Sequence, residues 1–209
     1  MQISLAMISQ TGGHADDWHV CGAETPLLPP TPGRPSGICD GPDEVRRVVR
    51  TLVRAGADVL KVATSGGVLS PRDDPRHPHF RPAELAVLVE EATAAGLTVM
   101  AHAQGAEGIK NAVRAGIRSI EHGIFLDDEA IELMLEHGTW LVPTLSAPRA
   151  VLAAVAAGAS LPGPSWTRRS PCRPSTTSRC PGRTRPGCGS PWAPTPASGR
   201  TGRTWASCS

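Results

Sequence analysis

Over residues 1–161 short apolar runs alternate with longer stretches whose apolar positions recur three and four apart. The first rhythm belongs to strands and the second to helices with one buried face. The runs "ISLAMIS" (3–9), "DVLKVAT" (58–64), "LTVMAHA" (97–103), "IRSIEH" (117–122) and "TWLVPTL" (139–145) are predicted strands. Between them, helices are predicted over 42–56, 82–96, 105–116 and 127–138, each opening on a capping or first-turn residue and closing at a glycine. Strand and helix in strict alternation build βα units and a parallel sheet. Because the strand runs are almost continuously apolar, both faces of that sheet are expected to be covered.

The pattern stops after Leu161. From Pro162 to Ser209 there is no Leu, Ile, Val, Met or Phe and no Asp, Glu or Lys; Pro, Gly, Ser, Thr, Arg, Ala and Cys dominate. Such a segment has too little apolar surface to offset its chain entropy, so 162–209 is expected to be a disordered tail behind a folded unit of 1–161. Charge sharpens the division. The net charge of +2 conceals an asymmetry, since every Asp and Glu precedes Gly138 while eight arginines follow Gly163. One reading of the tail is a basic nucleic-acid-binding arm. The other is a shifted reading frame in a GC-rich gene. Back-translating 187–209 with G- or C-ending codons where possible and starting each codon one base earlier gives, for one choice of synonymous codons, "VRVAMGTDAGVGPHGQNLGELL", in which aliphatic and acidic residues return. That recovery, with the absence of Lys and of helical periodicity, weighs against a nucleic-acid partner.

Composition excludes further classes. The six cysteines, at 21, 39, 172, 180, 188 and 208, contain no CxxC or CxxH pair, so neither a zinc ribbon nor a disulfide framework is indicated. No targeting segment and no apolar run of about twenty residues occurs. The expectation is a cytoplasmic chain with reduced thiols and no membrane association.

Candidate chemistry sits where the strands stop. Side chains at the C-terminal ends of parallel strands line the mouth of an α/β sheet or barrel. Lys61 lies inside "DVLKVATSGG", His102 ends "LTVMAHA" and His122 follows "IRSIE". A single strand-end histidine is most often structural, but two in consecutive βα units suit a zinc-type site, with imidazole nitrogens about 2.0–2.1 Å from the cation. A lysine in a strand must snorkel to solvent, lose its proton, pair with an acid or be chemically modified.

Taken in order, "TGGHADDW", "DVLKVATSGG", "VMAHAQG", "SIEHG" and "LVPTL" resemble the amidohydrolase superfamily, in its imidazolonepropionase-like and prolidase-like branch. The resemblance runs over residues 1 to about 160. It implies a (β/α)8 TIM-type barrel, of which about five βα units are present here. It also implies two divalent metal ions, usually zinc, bridged by a carbamate on Lys61 and by hydroxide. His102 and His122 match metal-ligand positions, and His14 matches a position near the substrate. Arg72, with Arg81, is a candidate for binding a substrate carboxylate.

Two parts of the family pattern are missing. No His-x-His pair occurs near the start; His77 and His79 have that spacing but fall in a Pro-rich segment read as a surface loop. The aspartate of a "GTD" motif, the family's proton shuttle, appears only in the alternative frame. The resemblance therefore implies a truncated hydrolase of amide or peptide bonds, in dipeptides or N-acyl amino acids, with the inactive remnant of such an enzyme as the alternative. A partial barrel leaves strand edges uncovered, which keeps homo-oligomer formation open.

Overall fold

The computed structural model describes residues 1–16, 30–68, 70 and 73–158. Its elements run β1 (Met7–Ile8), α1 (Gly41–Arg54), β2 (Leu60–Ala63), α2 (Pro82–Ala94), β3 (Val99–Ala103), α3 (Ala106–Arg114), β4 (Ser119–His122), α4 (Asp128–His137), β5 (Trp140–Val142) and α5 (Ser146–Ala156). The five strands form one sheet in the order β1-β2-β3-β4-β5, and every pair is parallel. Sequential parallel strands lying side by side, joined by right-handed crossovers, keep all connecting helices on one face. That is the arrangement of a barrel wall, and the fold is a partial TIM-type barrel.

Helix starts follow local chemistry. Proline opens α1 and α2, where its missing N–H costs no bond. Asp127 caps α4 by accepting from the Ala130 N–H at 2.8 Å, and Gly138 ends that helix in the left-handed conformation (φ 64°). Glu84 ties two helix starts together: its carboxylate accepts from the N–H groups of Arg81 (2.6 Å) and Gly41 (2.7 Å).

The core lies between sheet and helices. Leu60, Val62, Ala101, Ala103 and Ile120 point to the helix side and are fully buried against Val45, Val49 and Leu52 of α1, Leu85 and Leu88 of α2, and Ile109 and Val113 of α3. Their alternates Lys61, Met100, Ser119 and Glu121 are half-buried, and all three residues of β5 are exposed. Coverage of both faces, expected from the apolar runs, holds only in part: the helix side is sealed, while on the other face Ala63 and His102 are buried and Lys61, Met100, Ser119 and Glu121 are half-buried.

Three further departures are physical. The first predicted strand, 3–9, pairs only at Met7 and Ile8, because Leu5 adopts a left-handed φ of 62° that ends the extended chain. Helix α5 was not predicted: "SAPRAVLAAVA" is nearly all small and apolar, so it has no polar face to mark a helical period. His79 is not on a surface loop. It is 4% exposed, its N–H donates to the Thr64 carbonyl at 2.9 Å, and its neighbour Pro78 bridges to Ser65, so the segment folds back onto the end of β2. The 162–209 tail and the 161/162 boundary lie outside the described residues.

Candidate functional site

Each strand contributes to one rim. His14 follows β1, Lys61 lies in β2 with the Gly66-Gly67 pair just beyond it, His102 is in β3, His122 ends β4 and Thr144 follows β5. Register sets the relationship between Lys61 and His102. Lys61 pairs with Met100, two residues before His102, so period-two alternation places Lys61 and His102 on the same face. His102 pairs in turn with Glu121, the carboxylate facing the lysine.

His122 pairs with Ala103, which by alternation assigns it to the opposite face. Its φ of 79° breaks the alternation, and its ring meets that of His102 edge-on with centroids 4.7 Å apart. On the other side of His102 the ring of His14 is stacked at 3.9 Å. Three imidazoles thus crowd one end of the sheet beside an amine.

Crowding and burial set their protonation. Desolvation, then the fields of His79, His122 and Lys61, pull His14 down to about 4. His102 is held well below the ordinary histidine value by burial first and then by His14. His122 is lowered by desolvation and by Lys61. Lys61 is itself lowered by desolvation, with Glu121 opposing the shift. At neutral pH the rim is a set of neutral imidazoles around a lysine that gives up its proton more readily than an exposed one.

Hydrogen bonds fix several of these groups. His102 Nε2 bonds to the Gly66 carbonyl oxygen at 3.0 Å and His14 Nδ1 to Ser70 Oγ at 2.5 Å. Asp73 stands behind His14, 4.0 Å from Nδ1, with its Oδ2 accepting from the Gly67 N–H at 3.0 Å; burial raises its carboxyl to about 6. Glycine is required at 67, because a Cβ there would collide with the His14 ring. His122 Nδ1 lies 2.6 Å from Thr144 Oγ1.

The structure therefore brings together His14, Lys61, His102 and His122, while Arg72 lies outside the described residues. Arg81 is exposed and its N–H is engaged by Glu84 at the start of α2. Sequence reasoning missed Thr144 and Ser70, and passed over His79, since short polar residues after a strand carry no periodic signal. Among the described residues, no three His, Cys, Asp or Glu side chains are arranged as a group that could hold a metal ion. The His14 and His102 rings stack, and His102 Nε2 is hydrogen-bonded to the Gly66 carbonyl, which leaves its Nδ1 as the nitrogen with a lone pair. The chemistry of the donor set nevertheless fits a divalent cation, since neutral imidazoles expose nitrogen lone pairs and burial eases loss of the Lys61 proton. A cleft of about 270 Å³, lined in part by Thr93, Leu97, Ile117, Arg118 and Thr139, opens at the opposite end of the strands and contains none of the four rim residues.

A wall of parallel βα units with polar side chains gathered at its C-terminal rim is the arrangement in which TIM-barrel sites are built. Residues 5–173 match the amidohydrolase family, and the chain belongs to it. It is 42% identical over 173 residues to ochratoxinase of Aspergillus niger, covering 79% of this chain and 36% of that protein. Among solved structures it is similar to a Xaa-Pro dipeptidase with methionine bound in its active site, at 40% identity and a TM-score of 0.64, covering 78% of this chain and 39% of the other. A prolidase complexed with N-methylphosphonate-L-proline is likewise similar, at 40% identity and a TM-score of 0.63, covering 73% and 37%. The chain spans little more than a third of the length of the curated relatives it matches. Among the described residues, no helix is long and apolar enough to cross a membrane.

Proposed function

We propose that this chain carries part of a zinc-dependent amidohydrolase centre that cleaves an amide or peptide C–N bond in a small substrate of dipeptide or N-acyl amino acid type. The observation that carries the reading is the meeting of three neutral imidazoles and Lys61 at the C-terminal ends of successive parallel strands. Membership of the amidohydrolase family and similarity to a dipeptidase and an ochratoxinase support the bond type.

Lys61, His102 and His122 would hold the cation, and His14 would stand on the substrate side, with Arg72 as a partner for a substrate carboxylate. A divalent cation bound there supplies an activated water and polarises the scissile carbonyl. The chain's own groups prepare for this. Desolvation lowers the Lys61 amine below the ordinary lysine value, which eases its deprotonation. That amine can add to carbon dioxide, forming an N–C bond and releasing one proton, to give an anionic carbamate with two oxygen ligands. Burial holds the imidazoles neutral, so no proton competes with a cation for their lone pairs.

Zinc titration of the full chain by calorimetry tests the reading. Stoichiometric binding is expected, weakened by about 10-fold or more in His102→Asn, His122→Asn and Lys61→Met. A folded chain that takes up no zinc overturns it. Turnover of a Xaa-Pro panel by the zinc-loaded 209-residue chain is expected to be undetectable, because the sequence contains no GTD aspartate to relay the proton.

A further inference from the structure

Thr144, two residues past β5, meets the rim with its Oγ1 2.6 Å from His122 Nδ1. Both residues have left-handed backbones, with φ 79° at His122 and φ 44° at Thr144. Non-glycine residues are uncommon in that region; histidine tolerates it better than most, whereas Thr, being β-branched, is a genuine outlier there. Two such residues facing each other across neighbouring strands, joined by a short hydrogen bond, mark a place where the surroundings enforce the conformation.

The enforcing contacts are specific. Gly123, also left-handed at φ 59°, donates its N–H to the carbonyls of Ala103 (3.0 Å) and Glu121 (3.2 Å), closing the chain tightly behind His122. Side chains of Leu126 and Leu141 press so closely on Gly123 that a Cβ there would clash with both. Leu141 belongs to β5, so the strand that carries Thr144 also packs the turn that rotates His122. Pairing of Glu121 with Val142 sets Thr144 two residues beyond the last ladder position, level with the imidazole it meets.

We infer that Thr144 is a positioning residue: its hydroxyl accepts from His122 Nδ1–H, holding the ring turned into the barrel mouth with an unprotonated Nε2. The inference rests on the metal-centre reading only in saying what that Nε2 serves. An imidazole is useful as a ligand when one nitrogen is tied to an oxygen and the other is left with its lone pair. Without the threonine oxygen, the ring is free to adopt the other tautomer and to rotate back towards the face assigned by strand alternation.

The test uses the full 209-residue chain labelled with ¹⁵N-histidine. Two-bond ¹H–¹⁵N correlation spectra at pH 8 report which ring nitrogen carries the proton, and loss of one set of signals in His122→Asn assigns the residue. The wild type is expected to show His122 protonated at Nδ1. Thr144→Val is expected to move it towards the Nε2-protonated pattern, and Thr144→Ser to restore the original one. Zinc affinity is expected to fall by about 10- to 100-fold in the valine variant and to recover in the serine variant.

An Nε2-protonated His122 in the wild type, or an unchanged tautomer in Thr144→Val, overturns the inference. Should Thr144→Val not fold, the wild-type spectrum alone decides. A wild-type chain that binds no zinc but keeps Nδ1 protonated overturns the metal reading and upholds this one. A chain that binds zinc equally with and without Thr144, with the tautomer unchanged, does the reverse.

Discussion

At the scale of single residues, the rim is governed by close approach and by burial. Gly67 is present because the imidazole of His14 occupies the space where any side chain would begin. Gly67→Ala is expected to displace that ring and break its bond to Ser70, seen as a changed His14 ring signal with little loss of secondary structure by circular dichroism. Cys39 shows burial acting on a thiol: 1% exposed, it is pushed up to about 12 by desolvation and then by Asp40. Cys39 is therefore expected to resist alkylation at pH 8 in the folded chain and to react once the chain is unfolded in urea, as peptide mapping would show.

His79 gives the pH dependence a sign. Burial lowers it from 6.5 to about 4, so the folded state prefers the neutral ring. Its contribution to stability is fully present above pH 6.5 and is lost as pH falls through about 4, a difference of the order of 3 kcal/mol at most. Asp73, raised from 3.8 to about 6, acts in the opposite sense, favouring the folded state below pH 3.8 and losing that effect as pH rises through about 6. Urea midpoints at pH 7 and pH 4.5 should differ less in His79→Gln than in the wild type.

At the scale of elements, stability comes from helices pressed on one side of the sheet. Leu52, fully buried on α1, faces the sheet with Val45 and Val49, and Leu52→Ala is expected to cost about 2–5 kcal/mol in chemical denaturation. Polar links join neighbouring helices. Glu91 of α2 receives both Arg46 and Arg50 of α1. Lys110 of α3, 6% exposed, meets Glu107, Asp127 and Glu129 at 3.2, 2.9 and 2.6 Å, tying α3 to the start of α4. Lys110→Met removes the cation these three carboxylates share, leaving Arg114 on Glu129 alone at 2.9 Å. A lower melting temperature is expected, partly regained below pH 4 as those acids protonate.

At the scale of the whole molecule, β5 is the last strand of the sheet among the described residues. Trp140, Leu141, Val142 and Leu145 are 66, 44, 42 and 64% exposed, an apolar strip along a strand edge. An uncovered edge of this kind is a template for association. Light scattering of the full chain is expected to show a mass that rises with concentration. Trp140→Lys combined with Leu145→Glu is expected to suppress that rise, and a concentration-independent monomer in the wild type would contradict it.

The sequence by itself determined the order and type of most elements, because a buried face leaves a period of two or of about 3.6 in the apolar residues. It also determined which strands carry Lys61, His102 and His122. Helix α5 escaped because an all-apolar segment has no period, and the buried state of His79 escaped because prolines on either side of it suggested only a loop. What the tertiary structure decided was orientation. Strand alternation assigns His122 to the wrong face. A left-handed turn, closed by Gly123 and packed by Leu141 from the next strand, brings it round to His102. No local pattern encodes that rotation, since the contacts that enforce it come from residues close in space but distant along the chain.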